Sequence, residues 1–467
     1  MTKIKFGTDG WRAIIARDYT ETNVMRVAEA TAKWILSKPE VNKKAVIGYD
    51  CRFGGEMFMQ ATTRVFAAHG ITCVIAHNFI STPMVSLATL KLKASAGIVI
   101  TASHNPPSYN GFKIKDSFGG PAVPAEIAKV EAMIPETITT NYESFESYVS
   151  KGLIIYEDLE GMYLDAIKKG IDFEKINKAG KELAYDAMYG AGQSAMRNLL
   201  PDTTFLHCEF NPWFDGQAPE PIHKNLTELS ELINIAEDID LGIATDGDAD
   251  RIGLYNSTGK FIDSHHIILL LIQYLHKYKG LEGKVVNSFS CTGKIKNLCK
   301  HYGLEQEVTK IGFKYICDII ITEDVLIGGE ESGGIAIKGH IPERDGLWIG
   351  LTILEFMAVT GKSLDELIEE VYAITGSFAV ERYDLYIDEV TKQKVISNCK
   401  SKAYSNFGNF KIESEEDMDG FKYHLGNDRW VMIRPSGTEP VLRVYAEAET
   451  SEAAFEILEA TKKVILG

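Results

Sequence analysis

Ala96-Gly97-Ile98-Val99-Ile100-Thr101-Ala102-Ser103-His104-Asn105-Pro106-Pro107 reads as a buried strand that runs into a polar, proline-stiffened loop. Its first six residues carry no charge to place in water. The two prolines fix the backbone and keep a helix from starting there. Upstream, 45–49 (Ala-Val-Ile-Gly-Tyr) is a second strand, ending at Asp50-Cys51-Arg52. A helical stretch over 56–69 and a strand over 73–76 follow. Strands alternating with helices predict a mostly parallel sheet covered on both faces. In such sheets ligands bind beyond the carboxyl ends of strands, and Ser103 lies just past one.

The pattern recurs. A strand over 182–186 precedes Gly190-Ala191-Gly192 and a helix, and a strand over 240–245 ends at a cluster of carboxylates. Strands over 284–288 and 325–328 repeat the theme a third time. The last part differs: strands over 430–433 and 442–446 flank a turn-rich loop, and a helix over 451–464 follows. The expected class is α/β, with three related α/β units of mixed, mostly parallel sheets and a smaller C-terminal α+β domain. Boundaries are expected near 145, 256 and 372, giving domains 1–145, 146–256, 257–372 and 373–467.

The 467 residues carry a formal net charge of −16, which speaks against nucleic acid or an anionic membrane as main partner. Anionic substrates stay open, because they are gripped locally by clustered Arg and Lys. The seven cysteines are scattered without a C-x-x-C pair, which fits a reducing compartment and no Cys-rich zinc site. The N-terminus is too poor in apolar residues for a signal peptide, and the apolar run at 267–275 is far short of a membrane span. A cytoplasmic location is expected.

Four segments carry the chemistry. On the first loop, Ser103 reads as an exposed residue open to use as a nucleophile, or equally as part of a Ser/Asn turn. The G-x-S-x-G elbow of many serine hydrolases is absent there. The second is Asp246-Gly247-Asp248-Ala249-Asp250-Arg251. In an extended run alternate side chains share a face, and three aspartates on one face repel unless a cation lies between them. Their hard oxygens suit Mg²⁺, Mn²⁺ or Ca²⁺ better than zinc. An EF-hand fails, because its sixth position is Arg251 and its twelfth Ser257. A solvated acidic loop is the bland alternative. A phosphate oxygen would suit an open coordination position, with Arg251 near enough to hold another.

The third, Gly328-Gly329-Glu330-Glu331-Ser332-Gly333-Gly334, offers carboxylate and hydroxyl to sugar hydroxyls, or is a plain Gly-rich turn. The fourth, Arg434-Pro435-Ser436-Gly437-Thr438-Glu439-Pro440, suits an oxyanion nest, or is a structured turn; it is not a Walker loop. The opening run Phe6-Gly7-Thr8-Asp9-Gly10-Trp11-Arg12 adds a further Arg beside glycines.

In this order the segments resemble the α-D-phosphohexomutase superfamily over nearly the whole chain, and within it the phosphoglucomutase/phosphomannomutase group. The resemblance implies four domains around a central cleft. It implies that Ser103 is phosphorylated, and that Asp246, Asp248 and Asp250 hold Mg²⁺ together with an oxygen of the Ser103 phosphate. Glu330 and Ser332 match the sugar-recognition loop. Arg434, Ser436, Gly437 and Thr438 match the phosphate-binding loop. Arg12 and Arg251 match basic residues near the transferring phosphate, and His104 and Lys113 match positions proposed for acid/base assistance. Gly312 and Lys314, and His340 and Arg344, resemble substrate-facing runs; some glucose enzymes carry Lys where Arg344 stands.

The implied activity interconverts hexose 1-phosphate and hexose 6-phosphate through a hexose 1,6-bisphosphate. Glu330-Glu331-Ser332 resembles glucose-type loops, so glucose is expected first and mannose second. Phosphoglucosamine mutase is the alternative within the family. A non-catalytic sugar-phosphate binder and a metal-dependent phosphatase are the alternatives outside it. The expected partners are a sugar phosphate, no nucleic acid and no membrane, with the chain a monomer or dimer.

Overall fold

The computed structural model describes residues 3–38, 43–435 and 441–467. The chain divides into two compact units: 1–286 with 312–367, and 287–311 with 368–467.

The first sheet of the larger unit has six strands, in the order Trp11–Ile14, Tyr109–Asp116, Ala96–Ile100, Lys44–Tyr49, Thr72–Ile75 and Ile154–Tyr156. The four strands from Ala96–Ile100 to Ile154–Tyr156 are mutually parallel, and the first two are added antiparallel. Every side chain of Ala96–Ile100 is buried, as its unbroken apolar run requires. Trp34, Phe58, Phe66 and Phe112 fill the core against Ile98 and Ile100. The expected helix over 56–69 is Gly55–Ala68. Ser81 caps the helix Thr82–Lys91 by accepting from Met84 N, and Pro83 sits in its first turn.

The second sheet runs Phe261–Ile262, Ile252–Asn256, Leu241–Thr245, Leu183–Asp186 and Thr204–Leu206. It is parallel on one side of Leu241–Thr245 and antiparallel on the other. Within the larger unit the third block contributes the antiparallel hairpin Val325–Gly329 and Ile335–Ile337. The apolar stretch near 267–275 is a buried helix, Ser264–Gln273, continued by a π-helical turn, Tyr274–Tyr278. Among the described residues no single helix is long and apolar enough to cross a membrane. All seven cysteines are buried and free.

The smaller unit holds the five-stranded sheet Ala379–Tyr386, Val441–Ala448, Arg429–Pro435, Phe421–Gly426 and Ser414–Glu416, with the helix Ser451–Leu466 packed on it. All its neighbouring strands are antiparallel. Residues 287–311 belong to this unit for a physical reason. The buried Lys422 donates to Phe289 O at 2.9 Å and lies 3.9 Å over the Trp430 ring. Glu447 accepts from Gly293 N and Trp430 Nε1, and Lys294 pairs with Asp428 at 2.8 Å.

Candidate active site

Ser103 follows the Ala96–Ile100 strand, as its sequence requires, but it is not exposed. It is fully buried. The loop of the second sheet covers it: a Cβ on Gly247 would stand 2.6 Å from Ser103 O, so only glycine permits the approach. Hydrophilic residues suggest an open loop, and a second loop closes over it instead. Ser103 Oγ donates to Asp246 Oδ2 at 2.6 Å and lies 3.4 Å from His104 Nδ1.

The three aspartates converge, though not along an extended strand. Leu241–Thr245 ends before them, and Ala249 takes a left-handed φ of 57°. The segment therefore turns, and one carboxylate oxygen from each of Asp246, Asp248 and Asp250 lies within 4.8 Å of the others. Asp246 Oδ1 accepts from the backbone N–H of Asp250 and Arg251. Lys113 Nζ donates to Asp248 Oδ2 at 2.7 Å and Asp250 Oδ2 at 2.9 Å. The Thr82 hydroxyl also donates to Asp248 Oδ2, and Arg344 Nη2 is 2.7 Å from Asp250 Oδ2. Asp248 Oδ1 and Asp250 Oδ1 are buried without a hydrogen-bond partner. Buried carboxylate oxygens left so are costly, and a hard divalent cation fits that donor set.

Electrostatics agree with the geometry. Burial, then the neighbouring Asp248 and Asp250, push the Asp246 carboxyl well above the usual range. Asp248 is also raised by burial, but Lys113 outweighs this and holds it low. Burial would lower Lys113, yet Asp248, Asp250 and Asp9 hold its ammonium charged. Burial, reinforced by Arg251, Arg12, Lys113 and Arg52, keeps the His104 imidazole neutral.

The basic residues divide into committed and available. Arg12 donates to Asn105 Oδ1 at 2.6 Å and stays one-fifth exposed. Arg251 has Glu220 at 3.8 Å, and its buried Nε lacks a hydrogen-bond partner. Both cations can thus still receive an anion. Arg344 is buried between Asp9 and Asp250 and lies over the Phe313 ring. His340 is held at 2.8 Å by Asp345 and stacked on Trp348 at 3.7 Å. Lys314 is half-buried beside Thr8 and Asp9, lining a cavity of about 170 Å³.

The glycine-rich third loop is tied to the second. Gly333 O accepts from Ile252 N, and Arg251 bridges to Gly334. Glu330 is buried, accepts from Gly312 N at 2.9 Å, and is pushed up to about 7 by burial despite Arg344. Ser332 is half-buried.

In the smaller unit Arg434 is next to last in the strand Arg429–Pro435, and both its Nε and Nη2 are 3.3 Å from the carboxylate of Asp419. Ser436, Gly437 and Thr438 lie outside the described residues.

Sequence reading misses Asp9, Thr82, Arg52 and Asp419. Asp9 stands out in the sequence only as a neighbour of Arg12, yet it bridges Lys113 and Arg344. Arg52 reads as the end of a strand. It is buried and spends both Nη groups on carbonyls of the serine loop.

Comparison with known proteins joins these pieces. Four phosphoglucomutase/phosphomannomutase family models match in chain order: alpha/beta/alpha domain I at 3–141, domain II at 161–259, domain III at 263–374 and the C-terminal domain at 392–464. A phosphoglucomutase/phosphomannomutase of Thermococcus kodakarensis is 30% identical over 464 residues, covering 98% of each chain. A Methanobrevibacter smithii chain named probable phosphoglucosamine mutase is also 30% identical, over 472 residues and 98% of each chain. The crystal structure of a Thermus thermophilus protein provisionally described as a phosphomannomutase matches with TM-score 0.88 and 32% identity over the full length of both chains. An Aspergillus fumigatus N-acetylphosphoglucosamine mutase, solved with GlcNAc-6P and magnesium, shares the fold at TM-score 0.59 and 15% identity, covering 99% of this chain and 96% of that one. The chain belongs to the phosphoglucomutase/phosphomannomutase family, and is a phosphohexomutase, an isomerase-type phosphotransferase.

Proposed function

We propose that this enzyme interconverts hexose 1-phosphate and hexose 6-phosphate, glucose before mannose, with Ser103 as the phosphate carrier. The observation that carries the reading is the Ser103 Oγ to Asp246 contact, set in a carboxylate cluster with two orphaned oxygens and flanked by Arg12 and Arg251. A serine placed there is next to a cation site and to two guanidinium groups with bonds to spare. A non-catalytic binder needs no such serine.

Asp246, Asp248 and Asp250 would hold Mg²⁺, which supplies charge neutralisation at a phosphoryl group when bound. The chain's own residues do the rest. Phosphoryl transfer needs position and electrostatics more than covalent help. Phospho-Ser103 gives its phosphoryl to the free hydroxyl of a hexose phosphate. The bond from phosphorus to Ser103 Oγ breaks and one to the sugar oxygen forms, giving a hexose 1,6-bisphosphate. Arg12 and Arg251 grip the moving group, and His104 takes the hydroxyl proton on its neutral ring and hands a proton to the departing Ser103 Oγ, 3.4 Å from its Nδ1. Lys113 stays charged and keeps Asp248 and Asp250 in place. The sugar then presents its other phosphate, and Ser103 takes it back. Glu330 and Ser332 contact the sugar hydroxyls, and Arg434, with Ser436, Gly437 and Thr438, holds whichever phosphate is not reacting.

The amino-sugar reading stays beside this one, because relatives of equal similarity bear phosphoglucosamine mutase names. A panel of glucose, mannose and glucosamine 1-phosphates, each with Mg²⁺ and a trace of the matching bisphosphate, separates them. Ser103→Ala is expected to abolish turnover and phosphoserine in a folded chain. Near-normal steady-state activity in that variant refutes the carrier.

A further inference from the structure

Ser103 stands with φ at 52°, a left-handed conformation uncommon outside glycine. Such a conformation persists only where the surroundings over-determine it. Two ties do so. The Ser103 N–H donates to Thr101 Oγ1 at 2.8 Å, and Thr101 Oγ1 donates in turn to Asp50. The Ser103 carbonyl accepts from Arg52 Nη2 at 2.5 Å.

The second tie is part of a larger clamp. Arg52 Nη2 also donates to Asn105 O at 2.6 Å, and Nη1 donates to Pro106 O at 2.9 Å and Tyr109 O at 3.1 Å. One planar guanidinium thus meets four carbonyls of a single loop. Arg52 is itself anchored: its backbone N–H donates to Asp50 Oδ1, its Nε is 3.3 Å from Asp50 Oδ2, and the guanidinium lies 5.0 Å from the Phe214 ring. Asp50 therefore holds both ends of the device, through Thr101 and through Arg52.

Resting on the reading of Ser103 as carrier, we propose that Arg52 is a positioning residue that fixes the direction of Ser103 Oγ. By drawing four carbonyls to itself it turns their negative ends away from the position a phosphate would take. It also sets the backbone from which Oγ reaches Asp246. Lysine cannot replace it, because a single ammonium has three donors and no fork to span four carbonyls.

The test compares Arg52→Lys with the wild-type enzyme, using the hexose 1-phosphate that wild type turns over fastest. Phosphoserine occupancy is read by intact mass, and kcat is counted per phosphorylated serine, so an unfolded fraction does not lower it. The expected result is a kcat at least ~10-fold lower, toward the ~10²-fold that an ångström of misplacement costs, with KM within about threefold. A folded Arg52→Lys whose kcat per phosphoserine is less than about tenfold below wild type overturns the proposal. If Arg52→Lys does not fold, Thr101→Val cuts the other tie to Ser103 and is judged by the same criterion. Ser103→Ala separates the two layers. If it keeps turnover, the carrier reading itself fails. If it is dead while Arg52→Lys is normal, only the role of Arg52 fails.

Discussion

The Ser103 region and the Arg434 region are built in opposite ways. Around Ser103 the side chains are buried, and their bonds are short and shared. Lys113 alone serves Asp9, Asp248 and Asp250 within 2.9 Å. Around Arg434 the side chains are about a quarter exposed, and both contacts between Arg434 and Asp419 are 3.3 Å long. The difference matches two tasks. Chemistry gains from donors and acceptors fixed before the reaction, because reorganisation then costs nothing at the transition state. On the proposed function, a grip that takes either phosphate would gain from a partner that is easily exchanged.

The sharpest way to break this contrast is to damage the buried cluster and find little change. Asp248→Asn keeps the shape but removes one charge from a site with two orphaned oxygens. Turnover is expected to fall by more than the ~10–100-fold that loss of an outer partner of a metal site costs. Thermal unfolding followed during an Mg²⁺ titration gives a separate reading. The midpoint should rise with Mg²⁺ in wild type and stay flat in the variant.

Burial also predicts a pH signature. Glu330 is pushed up to about 7 from an ordinary 4.5. Between those values the folded chain holds a proton that the unfolded chain releases, so stability falls as pH rises through that window. Below it both states are protonated, and above it both are ionised. Glu330→Gln does not titrate. Denaturation at pH 5 and pH 8 should show wild type losing stability relative to the variant, by on the order of 2 kcal/mol for a shift of this size. A constant difference between the two proteins would show that Glu330 does not titrate there.

Arg434→Ala should do less. It removes a charge-assisted contact at a half-open site, so KM is expected to rise roughly tenfold with kcat little changed. An unchanged KM counts against the grip.

The same contrast explains what can be read from sequence. The Ala96–Ile100 strand, the helix after Asp50 and the closing helix of the chain are legible because apolar patterning is a local signal. The three aspartates are legible as a cation site because of their residue type. Their geometry is not: the alternating-face argument assumes extended backbone, and Ala249 turns instead. The burial of Ser103 is hidden because the loop that covers it arrives from the second sheet. Asp9, Thr82 and Arg52 escape notice because their partners come from distant parts of the chain, and no spacing within a segment encodes them.

Asp419 gives the smallest effect and the finest test of the comparison. It occupies the Arg434 guanidinium through both oxygens, so on the proposed function an incoming phosphate would have to displace it. It also accepts from Ile311 N at 2.9 Å, a bond that the amide oxygen of asparagine can keep. Asp419→Asn therefore removes the competing charge while leaving the backbone anchor. Partly exposed ion pairs are worth ~0.2–1 kcal/mol, so KM should fall by about 1.4- to 5-fold. In an Arg434→Ala background the same change should do nothing, because there is no cation left to release. A rise in KM instead would mean that Asp419 aims the guanidinium rather than competes for it, and the grip would then be as preorganised as the serine site.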